Sequence, residues 1–161
     1  MKKSYILRFS AILLVVSWIW MPAAVWAQQT ELEEEIIEAI QKSDVSAVDI
    51  WISKGGDINL PAKSKNTLLM LAAKIGDKPI IDYLMSNLPD VDVKNKAGAT
   101  ALMLASKYGH AHVVETLLEA GADPTLKNNN GRTASRFALA YKHYKIYEKL
   151  QKAESEFEKQ S

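Results

Sequence analysis

The sequence predicts an all-α solenoid of about four helix–turn–helix units joined by short β-turn or hairpin loops. The first observation is a constant spacing that relates three threonines, three alanines and three leucines: Thr67, Thr100, Thr133; Ala72, Ala105, Ala138; and Leu84, Leu117, Leu150. The second is that apolar residues within each unit lie three and four apart, as on one helix face. A constant period of about 33 residues is typical of stacked repeats, in which each unit covers its neighbour's apolar face.

The ends of the predicted helices are marked by residues with known terminal preferences. Each repeated threonine precedes an apolar, alanine-rich run, so its hydroxyl is expected to cap the first helix of a unit. Pro79 falls in the first turn of a second helix, where a missing amide hydrogen costs little. Gly55 and Gly121 are expected to end helices in the left-handed conformation. In the second unit the equivalent position is occupied by Leu88, which precedes Pro89. Because the left-handed conformation costs leucine about 1 kcal/mol, we expect Asn87 to adopt the left-handed conformation instead.

Residues 98–105 (GATALMLA) resemble the ankyrin signature Gly-x-Thr-Pro-Leu-His-x-Ala. The resemblance continues through Gly109-His110, the apolar pairs of the second helix and the closing Gly121-Ala122-Asp123, and further copies lie in the same register. The chain is thus similar to the ankyrin-repeat family, which implies an ankyrin-repeat solenoid over residues 28–161. The repeats would cover about 30–60, 61–93, 94–126 and 127–155.

Two departures from the family pattern concern polar groups. The usual histidine of the signature is replaced by Met70, Met103 and Arg136, so the family's threonine–histidine network is missing. In the last unit Ser135 replaces a core leucine, and we expect it to face water at the end of the stack.

Residues 1–27 have the organisation of a secretory signal peptide. Lys2, Lys3 and Arg8 are followed by an apolar stretch and by Val25-Trp26-Ala27, so cleavage is expected after Ala27. The short lysine-rich start is typical of bacteria, and the periplasm is the predicted destination. The alternative is an uncleaved membrane anchor, although the apolar stretch of about 13 residues is shorter than the ~20 that a spanning helix needs.

Composition excludes several classes of function. The 161 residues contain no cysteine, so zinc fingers, cysteine-held clusters and cysteine nucleophiles are excluded. Of the 20 Lys and Arg residues, three lie in the signal segment, which leaves 17 against 19 Asp and Glu. A nearly neutral exported protein is not expected to bind nucleic acid.

The sequence carries no pattern that predicts catalysis, a cofactor or a metal. His110 and His143 share the ankyrin position that starts a second helix, and His112 is not expected to share a helical face with His110. The acidic run of Glu31–Glu38 suits the positive end of the first helix. No phosphate loop, nucleophile elbow or metal-ligand spacing is present, so the protein is expected not to be an enzyme.

The resemblance implies that a protein partner is gripped by the turn tips and by the exposed side of the first helices. The corresponding positions here are Lys63, Ser64, Asn66, Lys74, Ile75, Lys96, Ala99, Lys107, Tyr108, Asn129, Asn130, Arg132 and Tyr141. Five of them are basic and none is acidic, so the predicted concave face should bind an acidic protein surface. Aromatic and aliphatic side chains amid positive charge are typical of an anchored interface.

Within this binding class the sequence leaves two roles open. One is neutralisation of a toxic enzyme, as by an immunity protein, and the other is support of a periplasmic stress-defence enzyme. The alternative class is a membrane-tethered structural or envelope scaffold that retains its signal segment.

Overall fold

A computed structural model describes residues 35–59 and 66–160, in which eight helices and no strand are found. The predicted signal segment therefore lies outside the described residues. The helices are α1 (35–41), α2 (Val45–Ser53), α3 (Leu68–Ile75), α4 (Lys78–Ser86), α5 (Ala101–Tyr108), α6 (Ala111–Glu119), α7 (Ala134–Ala140) and α8 (Tyr144–Gln160). The predicted all-α solenoid is confirmed.

The helices form two layers that run along the stack. In the inner layer α3 packs on α5 and α5 packs on α7, while in the outer layer α2, α4, α6 and α8 contact one another in sequence. Ala72, Ala105 and Ala138 are completely buried, and their small side chains let neighbouring helices approach closely. One continuous core results, so the stability of each unit depends on its neighbours.

The first helices of the two central units begin at the predicted threonine caps. The Oγ1 of Thr67 accepts from the amide of Met70 at 3.2 Å, and that of Thr100 accepts from the amide of Met103 at 3.4 Å. Thr133 also occupies the cap position, but no such bond is formed. Its hydroxyl instead pairs with the Ser135 hydroxyl at 2.9 Å. The predicted capping bond is therefore present in two units and replaced in the third.

The expectation that Ser135 faces water is wrong. Ser135 is buried, because α8 continues past it and covers the end of α7. Its hydroxyl is paired with Thr133 and accepts from the side-chain amide of Gln151 at 3.4 Å. The polar group is thus satisfied inside the stack and costs the fold little.

The outer helices end in left-handed residues, as predicted for Gly55 (φ +92°) and Gly121 (φ +87°). In the second unit, however, Leu88 has φ +51° and Asn87 has φ −95°, so the expectation that Asn87 takes this conformation is wrong. Leu88 lies one repeat away from each of the two glycines, and the path of the repeat requires the left-handed turn at that position. Asn87 instead donates its side-chain amide to the carbonyl of Tyr83 at 3.0 Å.

Aspartate and asparagine side chains join successive units at the turns that follow the outer helices. Asn59 accepts from the amide of Asp90 at 2.9 Å, and one repeat later Asp92 accepts from the amide of Asp123 at 3.2 Å. Partial burial raises the pKa of Asp92, even though the Asp123 amide lowers it, and the nearby carboxylates of Asp123 and Asp90 add to the rise. Ionised Asp92 therefore lowers the free energy of unfolding of the protein.

Replacing Asp92 by Asn should stabilise the protein at neutral pH. The pKa of Asp92 in the folded state lies above its ordinary value of 3.8, so near these pH values the folded state binds more protons than the unfolded state. The free energy of unfolding of the wild type therefore falls as pH rises from 3.8 through the folded-state pKa. Asparagine keeps the acceptor, as Asn59 does one unit earlier, and removes the charge. Thermal denaturation of both proteins should show a higher Tm for Asp92→Asn at pH 7 and no difference well below pH 3.8. A lower Tm at pH 7 would contradict this assignment.

A candidate protein-binding face

The inner helices expose a small set of side chains near their C-terminal ends. Lys74 and Ile75 end α3, Lys107 and Tyr108 end α5, and Tyr141 follows α7. Tyr108 is 41% and Tyr141 49% exposed. Together with the hairpins 95–99 and 128–132, these residues form what we call the inner face.

Lysine and tyrosine side chains alternate along the inner face. The Nζ of Lys74 lies 5.8 Å from the centroid of the Tyr108 ring. The Nζ of Lys107 lies 5.3 Å from the Tyr108 ring and 5.4 Å from the Tyr141 ring. These distances fall within the ~6 Å range of cation–π attraction. Four side chains from three units are thereby held in a row, which we call the lysine–tyrosine ladder.

The hairpins beside the ladder are held by asparagine side chains. The Oδ1 of Asn95 accepts from the amides of Ala97 and Ala99, both at 2.9 Å. Asn128 repeats this pattern in the next hairpin. Between the two hairpins, the side-chain amide of Asn129 donates to the carbonyl of Lys96 at 2.9 Å. The hairpin tips are therefore ordered before any partner binds.

The structure separates the predicted contact residues into groups. Exposed ones within the described residues are Lys74, Ile75, Lys96, Tyr108, Asn129, Asn130, Arg132 and Tyr141, with Lys107 half-buried. Asn66 is half-buried and accepts from the side-chain amide of Asn95 at 2.7 Å. Lys63 and Ser64 lie outside the described residues.

Ala99 requires a correction, because it is only 6% exposed and has little surface to offer a partner. The Asn95 side chain binds its amide and turns residue 99 into the stack. Conversely, Arg136 is exposed on α7, although it was not among the predicted contact residues. Arg136 stands one repeat after the buried Met103, so the repeat pattern alone gave no sign of its exposure.

Among the residues that the structure describes, no ion pair neutralises the positive charge of the inner face. Helices α3, α5 and α7 contain Lys74, Lys107 and Arg136 and no acidic residue. Within residues 35–59 and 66–160, the ion pairs lie at the C-terminal end of α1, along α4, between α6 and α8 and along α8. A nearly neutral protein thus presents one basic face, whose field reaches about 8 Å at physiological salt.

The histidines serve the stacking of the units. The Nε2 of His110 donates to the carbonyl of Lys74 at 3.0 Å, and His143 does the same to Lys107 at 3.1 Å. His110 lies at the cap position before α6, and the ring of His112, 6.4 Å from that of His110, binds the carbonyl of Gly76 at 3.1 Å. Among the described residues, no three His, Asp or Glu side chains are grouped so that they could hold a metal ion.

These contacts also fix the backbone of the two ladder lysines, Lys74 and Lys107. Because the carbonyls of Lys74 and Lys107 are bonded to histidines of the following units, the backbone below each lysine is held at the inner face. At the start of the face, Lys74 and Ile75 border a small pocket that Ile37, Gln41 and Leu71 complete. The face therefore combines an apolar recess, a charged row and ordered hairpins.

The part of the chain that the structure describes has no helix whose length and apolar character would let it cross a membrane. A search of curated proteins found no match. A family model that describes ankyrin repeats in three copies matches residues 36–128 and 89–161. The two matches span nearly the whole solenoid and agree with its repeated helix pairs. Ankyrin repeats are typically non-enzymatic protein-binding modules, and this chain belongs to the ankyrin-repeat family.

Proposed function

We propose that this protein acts in the periplasm by binding an acidic surface of a protein partner through its inner face, and that it carries out no catalysis. The lysine–tyrosine ladder is the observation that carries the proposal. Tyrosine offers a large contact area with few rotatable bonds, and lysine offers charge at the rim of that area.

Part of the ladder is already ordered in the free protein. Fixing a long side chain at an interface costs about 0.5–1.5 kcal/mol. Lys107 lies between the rings of Tyr108 and Tyr141, so part of that ordering exists in the free protein. An acidic partner would keep the cation–π contacts and add charge pairs, whereas a basic partner would meet like charge.

Two roles fit this chemistry. A basic face could block an acidic cleft of a toxic enzyme, as an immunity protein does, or it could hold a periplasmic stress-defence enzyme. The neighbouring gene distinguishes them, since a toxin gene favours the first role and a catalase-like enzyme favours the second.

The second candidate function is a membrane-tethered envelope scaffold, which the apolar stretch within residues 1–27 favours if it is retained. We expect cleavage after Ala27 instead. N-terminal sequencing of the protein isolated from its host should therefore begin at Gln28. A protein that begins at Met1 and sediments with membranes would contradict the periplasmic proposal and support the scaffold.

Affinity purification from the periplasm of the native host tests the binding proposal. We expect one stoichiometric protein with an acidic surface patch, identified by mass spectrometry and reconstituted from purified components. If only basic proteins bind after reconstitution, or if no protein binds, the proposal is wrong.

A further inference from the structure

Both arginines of the solenoid line one pocket. The whole chain has three arginines, and Arg8 lies in the predicted signal segment, so residues 28–161 carry Arg132 and Arg136 alone. Apart from the three histidines, the other basic residues there are all lysines. Both arginines are exposed, and both line a pocket of about 370 Å³ in the last unit of the stack. The two planar guanidinium groups of the solenoid are therefore placed together.

This pocket lies on a face of α7 that earlier inner helices use for stacking. Arg136 and Leu139 are exposed, Leu139 to 40%, whereas the equivalent Met103 and Ser106 of α5 are buried. Helix α5 packs between α3 and α7, but no further inner helix follows α7 in the described part of the chain. The last unit thus leaves open a surface that is covered in an internal unit.

The charge of the pocket has no counterion within the described residues. Its lining consists of Gly131, Arg132, Arg136, Leu139 and Ala140, none of which is acidic, and we call it the arginine pocket. Neither arginine takes part in the ion pairs found in that part of the chain. Two like charges that face one pocket repel each other until an anion lies between them. The pocket is therefore complementary to a negatively charged group.

Both arginines extend from ordered backbone. The amide of Arg132 donates to the Oδ1 of Asn128 at 2.9 Å, and its carbonyl accepts from the Asn128 amide at 3.0 Å. Arg136 lies within α7. The exposed Leu139 and Ala140 add an apolar wall beside the two charges. Forked donors next to an apolar wall suit a carboxylate that has an aliphatic neighbour.

The arginine pocket is continuous with the inner face. Arg132 belongs to the hairpin 128–132, and Ala140 directly precedes Tyr141, whose ring is the last group of the ladder. We propose that the arginine pocket binds an acidic side chain, flanked by an aliphatic residue, of the protein partner that the inner face binds. This inference rests on the proposed function and makes it more specific, since the partner's acidic segment would run along the ladder and end at the arginines.

The repeat itself supplies substitutions that keep the fold. Ala99 and Met103 occupy the positions of Arg132 and Arg136 one unit earlier. Arg132→Ala combined with Arg136→Met therefore places residues at both positions that the same helix pair already accommodates. Because this change also removes a repulsion between like charges, the Tm of the double variant should equal or exceed that of the wild type. A loss of binding in this variant then reports the pocket and not a damaged fold.

Nuclear magnetic resonance of the full chain, in the processed form that its host produces, tests the pocket directly. The probe is an acetylated and amidated hexapeptide of alternating glutamate and leucine, and the control peptide has glutamine in place of each glutamate. The Nε–Hε resonances of Arg132 and Arg136 are followed during each titration. We expect both resonances to shift with the glutamate peptide, with a Kd on the order of millimolar, and neither to shift with the glutamine peptide.

Variants separate arginine chemistry from net charge. Arg132→Ala with Arg136→Met should raise the Kd of the glutamate peptide by at least about tenfold, because both forked donors are lost. Arg132→Lys with Arg136→Lys keeps the charge without the fork, so its loss should be intermediate. Lys54→Ala with Lys145→Met removes the same charge from exposed positions outside the inner face, and should change Kd by less than about twofold.

The outcomes distinguish this inference from the proposed function. If the glutamate peptide shifts the backbone amides of the ladder while the arginine resonances stay unchanged, the inner face binds acidic groups and the arginine-pocket proposal is wrong. If inorganic phosphate binds the arginines more tightly than the peptide does, the pocket serves a phosphate ligand and the proposal is also wrong. Shifts of the arginines without shifts of the ladder amides would support the pocket and contradict binding along the inner face.

Discussion

Reversing the charge of Lys74, Lys96 and Lys107 to Glu is expected to weaken partner binding by at least about 100-fold. Each reversal replaces an attraction by a repulsion and should cost about 1 kcal/mol for a partly exposed pair. Three such losses together correspond to about two orders of magnitude in Kd. Isothermal titration calorimetry against the purified partner measures the change, and wild-type affinity should fall as salt is raised.

The matched control changes charge by the same amount elsewhere. Lys54, Lys145 and Lys159 are exposed residues outside the inner face, and none has an ion-pair partner within residues 35–59 and 66–160. The triple change to Glu at these positions should alter Kd by less than about fivefold, since only long-range screening is affected. If both triple variants weakened binding equally, net charge rather than the inner face would determine affinity.

Replacing Gly109 by Ala is expected to lower the free energy of unfolding by about 2–4 kcal/mol. Gly109 has φ +82°, where a side chain is strained. A Cβ atom would also lie 2.6 Å from Cε1 of His143, which belongs to the following unit. Since His143 is held by the carbonyl of Lys107, relief requires a shift of the next unit. Urea denaturation followed by circular dichroism measures the loss.

Gly121 provides a control for backbone strain alone. Its φ of +87° is similar, but a Cβ atom there meets nothing within 4 Å. Gly121→Ala should therefore cost only about 1 kcal/mol. Adding His143→Ala to Gly109→Ala should recover part of the larger loss, because the clash is removed. Equal losses for the two glycine variants would show that stacking on His143 contributes nothing.

Much of the fold follows from the constant spacing of the repeats. The period located the caps at Thr67 and Thr100 and the left-handed glycines, because these roles depend on local chemistry that each unit repeats. The prediction that Asn87 rather than Leu88 adopts the left-handed conformation was wrong, and this shows the limit of local propensity. The repeat required the left-handed turn at that position, and stacking overrode a preference of about 1 kcal/mol.

The candidate site was predicted less completely than the fold. The exposure of Tyr108 and Tyr141 follows from their position at the end of an inner helix. The burial of Ala99 depends on the Asn95 side chain folding over the hairpin, which no spacing reveals. The ladder likewise depends on rotamers in three successive units, so its order could be seen only in the structure.

The hydrogen bonds from the histidines to the preceding unit were also not predicted, although the residue spacing indicates them. His110 and His143 each lie 36 residues after the lysine whose carbonyl they bind. A repeated offset slightly longer than the period indicates a side chain that reaches back to the preceding unit. The burial of Ser135 had no such sign, because it depends on how far α8 extends over the last inner helix.

Lysine footprinting of the complex with the purified partner tests the central claim most directly. Each lysine is acetylated with and without the partner, and the modified fraction is read by mass spectrometry. We expect Lys74, Lys96 and Lys107 to be protected, while Lys54, Lys145 and Lys159 react as in the free protein. Protection confined to lysines of the outer helices, with the ladder still reactive, would contradict binding through the inner face.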